Sequence, residues 1–363
     1  MATNPSLKDD PSEGCAAKNG HSQQDLFLAP LKRAPVMWAW GVGVDSTAGI
    51  IEMHSRGEPI DMVLNAYMPE KRETHAFRET FMAWMREREI PCKVVSYEPK
   101  RFKNFPRYSD LLENCLTNGT LPSIAFGFSS CSQKWKVAPQ DAWAKTWAPA
   151  VQAWDQGMKV VKCIGYDAGG RDSKRYAHAE GHTDDRYEYR YPLREWGWDR
   201  EKCEARITEE LGFAPPKSSC FFCSAMKIEE VKALSETELR LIVLMEARAT
   251  PRLRNIDGLW RKPVKGARGG TPRPGSMTQF IREQKLLPEK EIDTIIKECP
   301  TALITWQEAH ADKPIEARPA LSEWIDFFAR HAGKFRDKGV RDLYGEPGAK
   351  LLRDRLDQLD AVS

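Results

Sequence analysis

Two short stretches of this 363-residue chain bring together residue types that do chemistry. In the first, Trp40-Gly41-Val42-Gly43-Val44-Asp45-Ser46-Thr47, two glycines precede a carboxylate and two hydroxyls. Glycines let a backbone turn approach a ligand closely and aim several N–H groups at it, and a helix starting there adds positive partial charge. Phosphate or pyrophosphate suits such a turn. The stretch lacks the lysine of a GxxxxGK[ST] loop, and Ser46 takes the place of the third glycine in GxGxxG. In the second, Cys220-Phe221-Phe222-Cys223, the two-residue spacing lets both thiolates reach one metal. The same pair could be a redox couple or two unliganded thiols. The chain has nine cysteines, and Cys15, Cys92, Cys115, Cys131, Cys163, Cys203 and Cys299 stand alone. In a reducing compartment clustered cysteines point to metal, iron–sulfur or redox chemistry, whereas scattered ones are usually core residues.

These residues need elements to position them. Val36 to Trp40 is an apolar run fit for a buried strand, broken by Gly41-Val42-Gly43. Asp45-Ser46-Thr47 offers N-cap chemistry to a helix through Met53, with Gly57 as its stop. Further strands are expected at 60–64, 93–97, 159–164 and 187–193, and helices at 74–88 and 199–211. In the first of these helices Phe77, Phe81, Trp84 and Met85 make one apolar face. Strands alternating with helices predict an α/β, Rossmann-like fold, a doubly wound and mostly parallel sheet with helices on both faces. Ligands in such folds sit beyond the carboxyl ends of the strands, where Gly41 to Ser46 falls. Residues 1–34 read as a flexible tail, 35–230 as an α/β domain carrying the glycine turn and the cysteine pair, and 231–363 as a helical C-terminal region. Helices are expected there at 229–248, 277–299 and 319–359.

Hydrophobic residues make up 41% of the chain, enough for a substantial core, which excludes a disordered or collagenous chain. The 55 Lys plus Arg nearly balance 52 Asp plus Glu, so any polyanion site must be local. One such patch is the loop 252–273, where Arg252, Arg254, Arg261, Lys262, Lys265, Arg268 and Arg273 face one acid, Asp257, with Trp260 among them. It reads either as a grip on a phosphate backbone or as a solvated surface loop. The absence of a long apolar run predicts no membrane segment and a cytoplasmic protein.

GVGVDSTA resembles the PP-loop, usually written SGGxDS, of the adenine-nucleotide alpha hydrolases, which include ATP pyrophosphatases and phosphoadenosine phosphosulfate (PAPS) reductases. Val42 stands where that motif has its second glycine. Glu70 and Thr74 match the family's ExxxT, with Ala66 where an aspartate is usual. The segment from Cys131 through Lys136 to Pro139 is similar to its C-x-x-x-x-K-x-x-P. Gly165, with Arg175 downstream, resembles its late glycine turn, and 192–196 its P-L-x-E-W stretch. Lys217-Ser218-Ser219-Cys220-Phe221-Phe222-Cys223 looks like the K-S-G-C-x-x-C knuckle of PAPS-reductase-like proteins, including phage-type ones.

The resemblance implies a HUP-type sheet with an adenine nucleotide across its strand ends. Gly41, Val42, Gly43, Val44, Asp45, Ser46, Thr47, Gly165 and Arg175 would bind it. Asp45, Ser46 and Lys136 would be catalytic, with Asp45 anchoring Mg²⁺ if the ligand is ATP; otherwise Asp45 caps the helix. Cys131, Cys220 and Cys223 would hold a [4Fe–4S] cluster, or Zn²⁺, with a fourth ligand sought among Cys203, Cys163, His178 and His182. The implied activity is cleavage of ATP between its alpha and beta phosphates, adenylation of an acceptor and sulfur transfer from a sulfur donor, on tRNA or DNA if the basic loop grips one. The alternatives are thiol-dependent reduction of PAPS or adenosine phosphosulfate (APS) with a thioredoxin-like reductant and Cys299 as nucleophile, or a non-catalytic nucleotide-binding module.

Overall fold

The computed structural model describes residues 30–99, 108–128, 130–170, 172–266, 271–331, 334–336 and 339–362. Most of the expected N-terminal tail and Arg268 of the basic loop lie outside them. Among the described residues five strands form one all-parallel sheet: β1 (Val36–Trp40), β2 (Met62–Ala66), β3 (Cys92–Val95), β4 (Val160–Ile164) and β5 (Tyr187–Arg190). Their order is β3-β2-β1-β4-β5, so the chain moves outward from β1, then returns to the other side of it. Parallel neighbours need long crossovers, and helices α1 (Val44–Ser55) and α2 (Arg72–Glu87) supply the first two.

Side chains on a strand alternate between faces. Val36, Trp38 and Trp40 point to the face covered by α1, α2 and the helix Arg200–Leu211. Met37 points to the other, with Leu64, Val160 and the helices Ala138–Ala144 and Ala148–Asp155. A sheet covered on both faces needs apolar residues at successive positions, which is why β1 reads as an unbroken apolar run. Phe77, Phe81, Trp84 and Met85 are all buried, and the Phe81 and Trp84 rings stack 5.0 Å apart.

A further core joins the C-terminal helices Glu236–Ala249, Met277–Glu283, Glu289–Ala309, Leu321–His331 and Val340–Ala361. Helix α3 (Leu111–Asn118), Trp135, Phe221 and Phe222 pack into this core rather than into the sheet. The expected helix 229–248 is two helices, because Ser235 caps a new start: its hydroxyl accepts the Glu238 N–H, and the Glu238 carboxylate accepts from the Ser235 N–H. Strand β5 ends before Pro192, which opens a short helix and cannot donate to a ladder. No helix among the described residues is long and apolar enough to cross a membrane.

Candidate functional site

The turn Gly41–Gly43 leaves β1 where the strand order reverses, between β2 and β4, so a crevice opens there beyond the strand ends. Helix α1 begins at Val44, one residue earlier than Asp45, and its N-cap is Gly43, with no side-chain cap. Asp45 therefore does not cap the helix. The first-turn amides of an uncapped helix keep their donors for a ligand. The Ser46 hydroxyl accepts from the Gly41 N–H at 3.2 Å and donates to the Gly43 carbonyl at 3.4 Å, closing the turn on itself.

Val42 has φ +58°, the left-handed conformation that glycine adopts freely and a β-branched residue resists. Its backbone thus takes the shape a glycine would give, at a strain of order 1–3 kcal/mol. The buried Val42 side chain joins the core beneath the turn. Gly165, at the end of β4, packs directly on the turn: a Cβ there would stand 2.7 Å from Ser46 Cα and N. Thr47 faces away, buried, with its hydroxyl accepting from the Trp40 indole at 3.0 Å.

Asp45 meets Asp167 and Asp172, all three offering carboxylate oxygens within 4.8 Å of one another. Asp167 and Asp172 are buried, at 1% and 4% exposure. Arg200 lies 3.3 Å from both Asp45 oxygens, and the exposed Arg175 pairs with Asp172 at 3.2 Å. Arg175 thus approaches the crevice through Asp172. Asp167 closes the expected glycine turn Ile164-Gly165-Tyr166-Asp167 and Asp172 carries no motif; only the placement of that turn beside α1 joins both to Asp45.

The opposite wall is built from the 217–223 segment. The Ser218 hydroxyl lies 2.8 Å from the Gly41 carbonyl and 2.7 Å from Glu70 Oε1, and can donate to either. Lys136 Nζ is 3.8 Å from the same Glu70 oxygen. Glu70 forms an isolated antiparallel bridge with Cys220, and the Lys71 N–H donates to the Ser219 carbonyl at 3.3 Å. Lys71 and Lys217 both pair with Glu230. The knuckle is thereby tied to the glycine turn through Ser218 and Glu70.

Cys131, Cys220 and Cys223 come together at the edge of the C-terminal core, and Cys115 of α3 stands with them. Burial raises the Cys115 thiol well above its ordinary range, and the nearby Cys131, Asp110 and Cys220 add to the shift. Burial also raises Cys220 and Cys223, while Lys136 acts on both in the opposite sense. Cys131 Sγ is 3.1 Å from the Ser123 hydroxyl. One π-helical turn, Gln133–Val137, follows, a feature that often marks functional sites. It sends Lys136 toward Glu70 and lays Lys134 over the Tyr97, Tyr108 and Trp135 rings at 4.8–5.7 Å. Desolvation lowers the Lys134 pKa.

The four expected candidates for an additional ligand lie elsewhere. Cys163 and Cys203 are buried in the sheet core, burial pushing the Cys163 thiol to about 12. His178 belongs to the helix Ser173–Glu180, and His182 leans on Tyr189. Cys299 is fully buried midway along Glu289–Ala309, not at a helix end. Trp260 of the basic loop is 2% exposed, its indole donating to the Met226 carbonyl, so it offers no face to a ligand. Neither a family model nor a curated protein matches this chain.

Proposed function

We propose that the chain is a PP-loop enzyme of the PAPS-reductase-like group that binds ATP with Mg²⁺, splits it between the alpha and beta phosphates, and passes the adenylyl group to an acceptor oxygen that sulfur then displaces. The observation that carries this reading is the uncapped glycine turn at the strand-order reversal, faced by the acidic trio. Three carboxylates beside a phosphate cradle repel a polyphosphate unless a cation stands between them. Magnesium is bound in that way, through one or two carboxylates and the substrate's phosphates. Its chemistry here is to draw off charge from the phosphate oxygens as the alpha–beta bond opens.

The chain's own groups do the rest. Backbone N–H groups of Val44 to Ser46 orient the phosphates, and the Ser46 hydroxyl exchanges its bonds within the turn for a phosphate oxygen. Lys136 adds positive charge, with Glu70 and Ser218 holding it against the turn. Arg200 keeps Asp45 aimed at the crevice until a cation takes its place.

The donor set of Cys131, Cys220, Cys223 and Cys115 fits a thiophilic metal centre. The buried Cys115 thiol stays protonated unless a cation is present, and a bound metal supplies one. A single zinc ion holds four sulfurs about 3.8 Å apart, from its 2.3 Å bonds. Among the described residues the acidic trio is the group of three whose ligand atoms lie within 4.8 Å. It is the resemblance, not a distance, that puts an iron–sulfur cluster ahead of zinc here. Such a centre supplies an electron-transfer or sulfur-carrying site.

Pyrophosphate release from Mg-ATP tests the reading. Asp45→Asn and Ser46→Ala should each lower it by about 10²-fold or more with the fold intact, as expected for groups that act on developing charge. Release unchanged in both variants would overturn it.

A further inference from the structure

Beside the thiols the protein shows aromatic rings to solvent. Phe126 and Phe128, at 38% and 67% exposure, flank Gly127 at the end of the 3₁₀ turn Ser123–Phe126. Across Gly127 lies Arg261: a Cβ on that glycine would meet three guanidinium atoms at 3.1–3.4 Å. Arg261 is exposed and has φ +69°, so the loop backbone is strained where it presents this side chain. Arg254 and Lys265 are exposed nearby in the chain, whereas Lys262 is paired with Asp257.

The loop is held in place from below. The buried Glu246 carboxylate accepts the N–H groups of Leu259, Met277 and Thr278 and the Ser276 hydroxyl, clamping both ends of the segment to the helical core. The arginine is thus displayed on a fixed frame. One side chain links this surface to the thiols: the Ser123 hydroxyl donates to the Phe128 carbonyl at 3.2 Å and stands 3.1 Å from Cys131 Sγ.

We infer that Phe126, Phe128 and Arg261 form the docking surface for an unpaired nucleic-acid strand, which is the acceptor of the proposed reaction. The inference rests on that reading and gives its acceptor a chemical class. Positive charge alone would fit any polyanion. Exposed rings interleaved with cations fit one whose units carry flat faces, because bases stack on aromatics whatever their sequence while the cations follow the phosphates. Trp260 is buried, so the stacking role falls to the Phe126–Phe128 turn, which Arg261 meets at Gly127.

The test uses the full chain and a fluorescein-labelled oligouridylate, followed by anisotropy over a range of salt. Binding should weaken steeply with salt. Phe128→Ala should weaken it about 5- to 150-fold, the equivalent of one lost base stack. Arg261→Ala should lower the salt slope by about one. Inorganic polyphosphate, which has charge but no bases, should bind the wild type and Phe128→Ala alike. No oligouridylate binding, or equal binding by wild type and Phe128→Ala, would overturn the inference. Mg-ATP binding, measured in parallel, separates the two proposals. ATP bound without oligouridylate refutes this surface alone, and oligouridylate bound with the Phe128 dependence but no ATP supports the surface while refuting the reaction.

Discussion

Gly165→Ala adds one methyl group where the end of β4 touches the turn after β1. Its Cβ would stand 2.7 Å from Ser46 Cα and N and 3.1 Å from Asp45 C, whereas ordinary contacts begin near 3.4 Å. Every atom it meets is backbone, so no rotamer relieves the clash, and the turn must retreat by about 0.7 Å. Overpacking of this kind costs about 1–3 kcal/mol of stability. The larger effect should fall on function, since a displacement approaching 1 Å in a positioned reacting group can cost about 10²-fold in rate. Pyrophosphate release from Mg-ATP should therefore drop by about 10- to 100-fold. Gly49→Ala is the control: its Cβ meets the Trp38 ring at 2.3 Å within the sheet core, well inside α1. Thermal unfolding should show a loss in both variants. Relative to its own folded fraction, only Gly165→Ala should lose turnover. Wild-type turnover in Gly165→Ala would refute the claim that this glycine sets the position of the cradle.

Asp110 caps α3 and is half-buried; desolvation raises its carboxyl to about 7, with Glu113 adding to the shift. The folded chain thus holds a proton that the unfolded chain releases near pH 4, so stability should fall as pH rises from about 4 to about 7. Asp110→Asn, which keeps an N-cap acceptor, should flatten that slope in melts across the same window, and an unchanged slope would contradict the assignment. For the thiols, Cys115→Ser should lower the iron and the visible absorbance of anaerobically purified protein, while Cys299→Ser, in the middle of a core helix, should leave both unchanged and lower only the melting temperature. Metal content lost equally in both variants would mean that the losses come from unfolding.

The sheet was legible because its strands are covered on both faces, leaving apolar runs such as Val36 to Trp40 with glycines at their carboxyl ends. The Cys220 and Cys223 pair was legible from its spacing. Cys115 was not, because it lies 105 positions before Cys220 on a helix that the sequence reading left unassigned. Its burial alone would make it look like an ordinary core residue. Asp167 and Asp172 escaped for a similar reason: a carboxylate after a strand is common, and only the packing of Gly165 on Ser46 puts these two beside Asp45. Trp260 stands among charges in the sequence, yet its ring is buried edge-on against Phe280 and carries Arg273 on its face.

The two chemistries grow from different cores. The proposed phosphate cradle stands on the sheet, whereas the thiols stand on the C-terminal helices and α3. A boundary at residue 230 would leave Cys131, Cys220 and Cys223 without the helices they pack against. Two segments join the halves, and each carries chemistry at both ends. The first, 217–223, fixes the turn through Ser218 and then delivers Cys220 and Cys223. The second runs from Cys131 through the π-helical turn to Lys136, which faces Glu70 and the cradle. A shift of either segment would change the distance between the proposed phosphate site and the thiols. That arrangement suits the proposed reaction, in which an activated acceptor must meet sulfur before water does, since both proposed sites would then sit on the same pieces of chain.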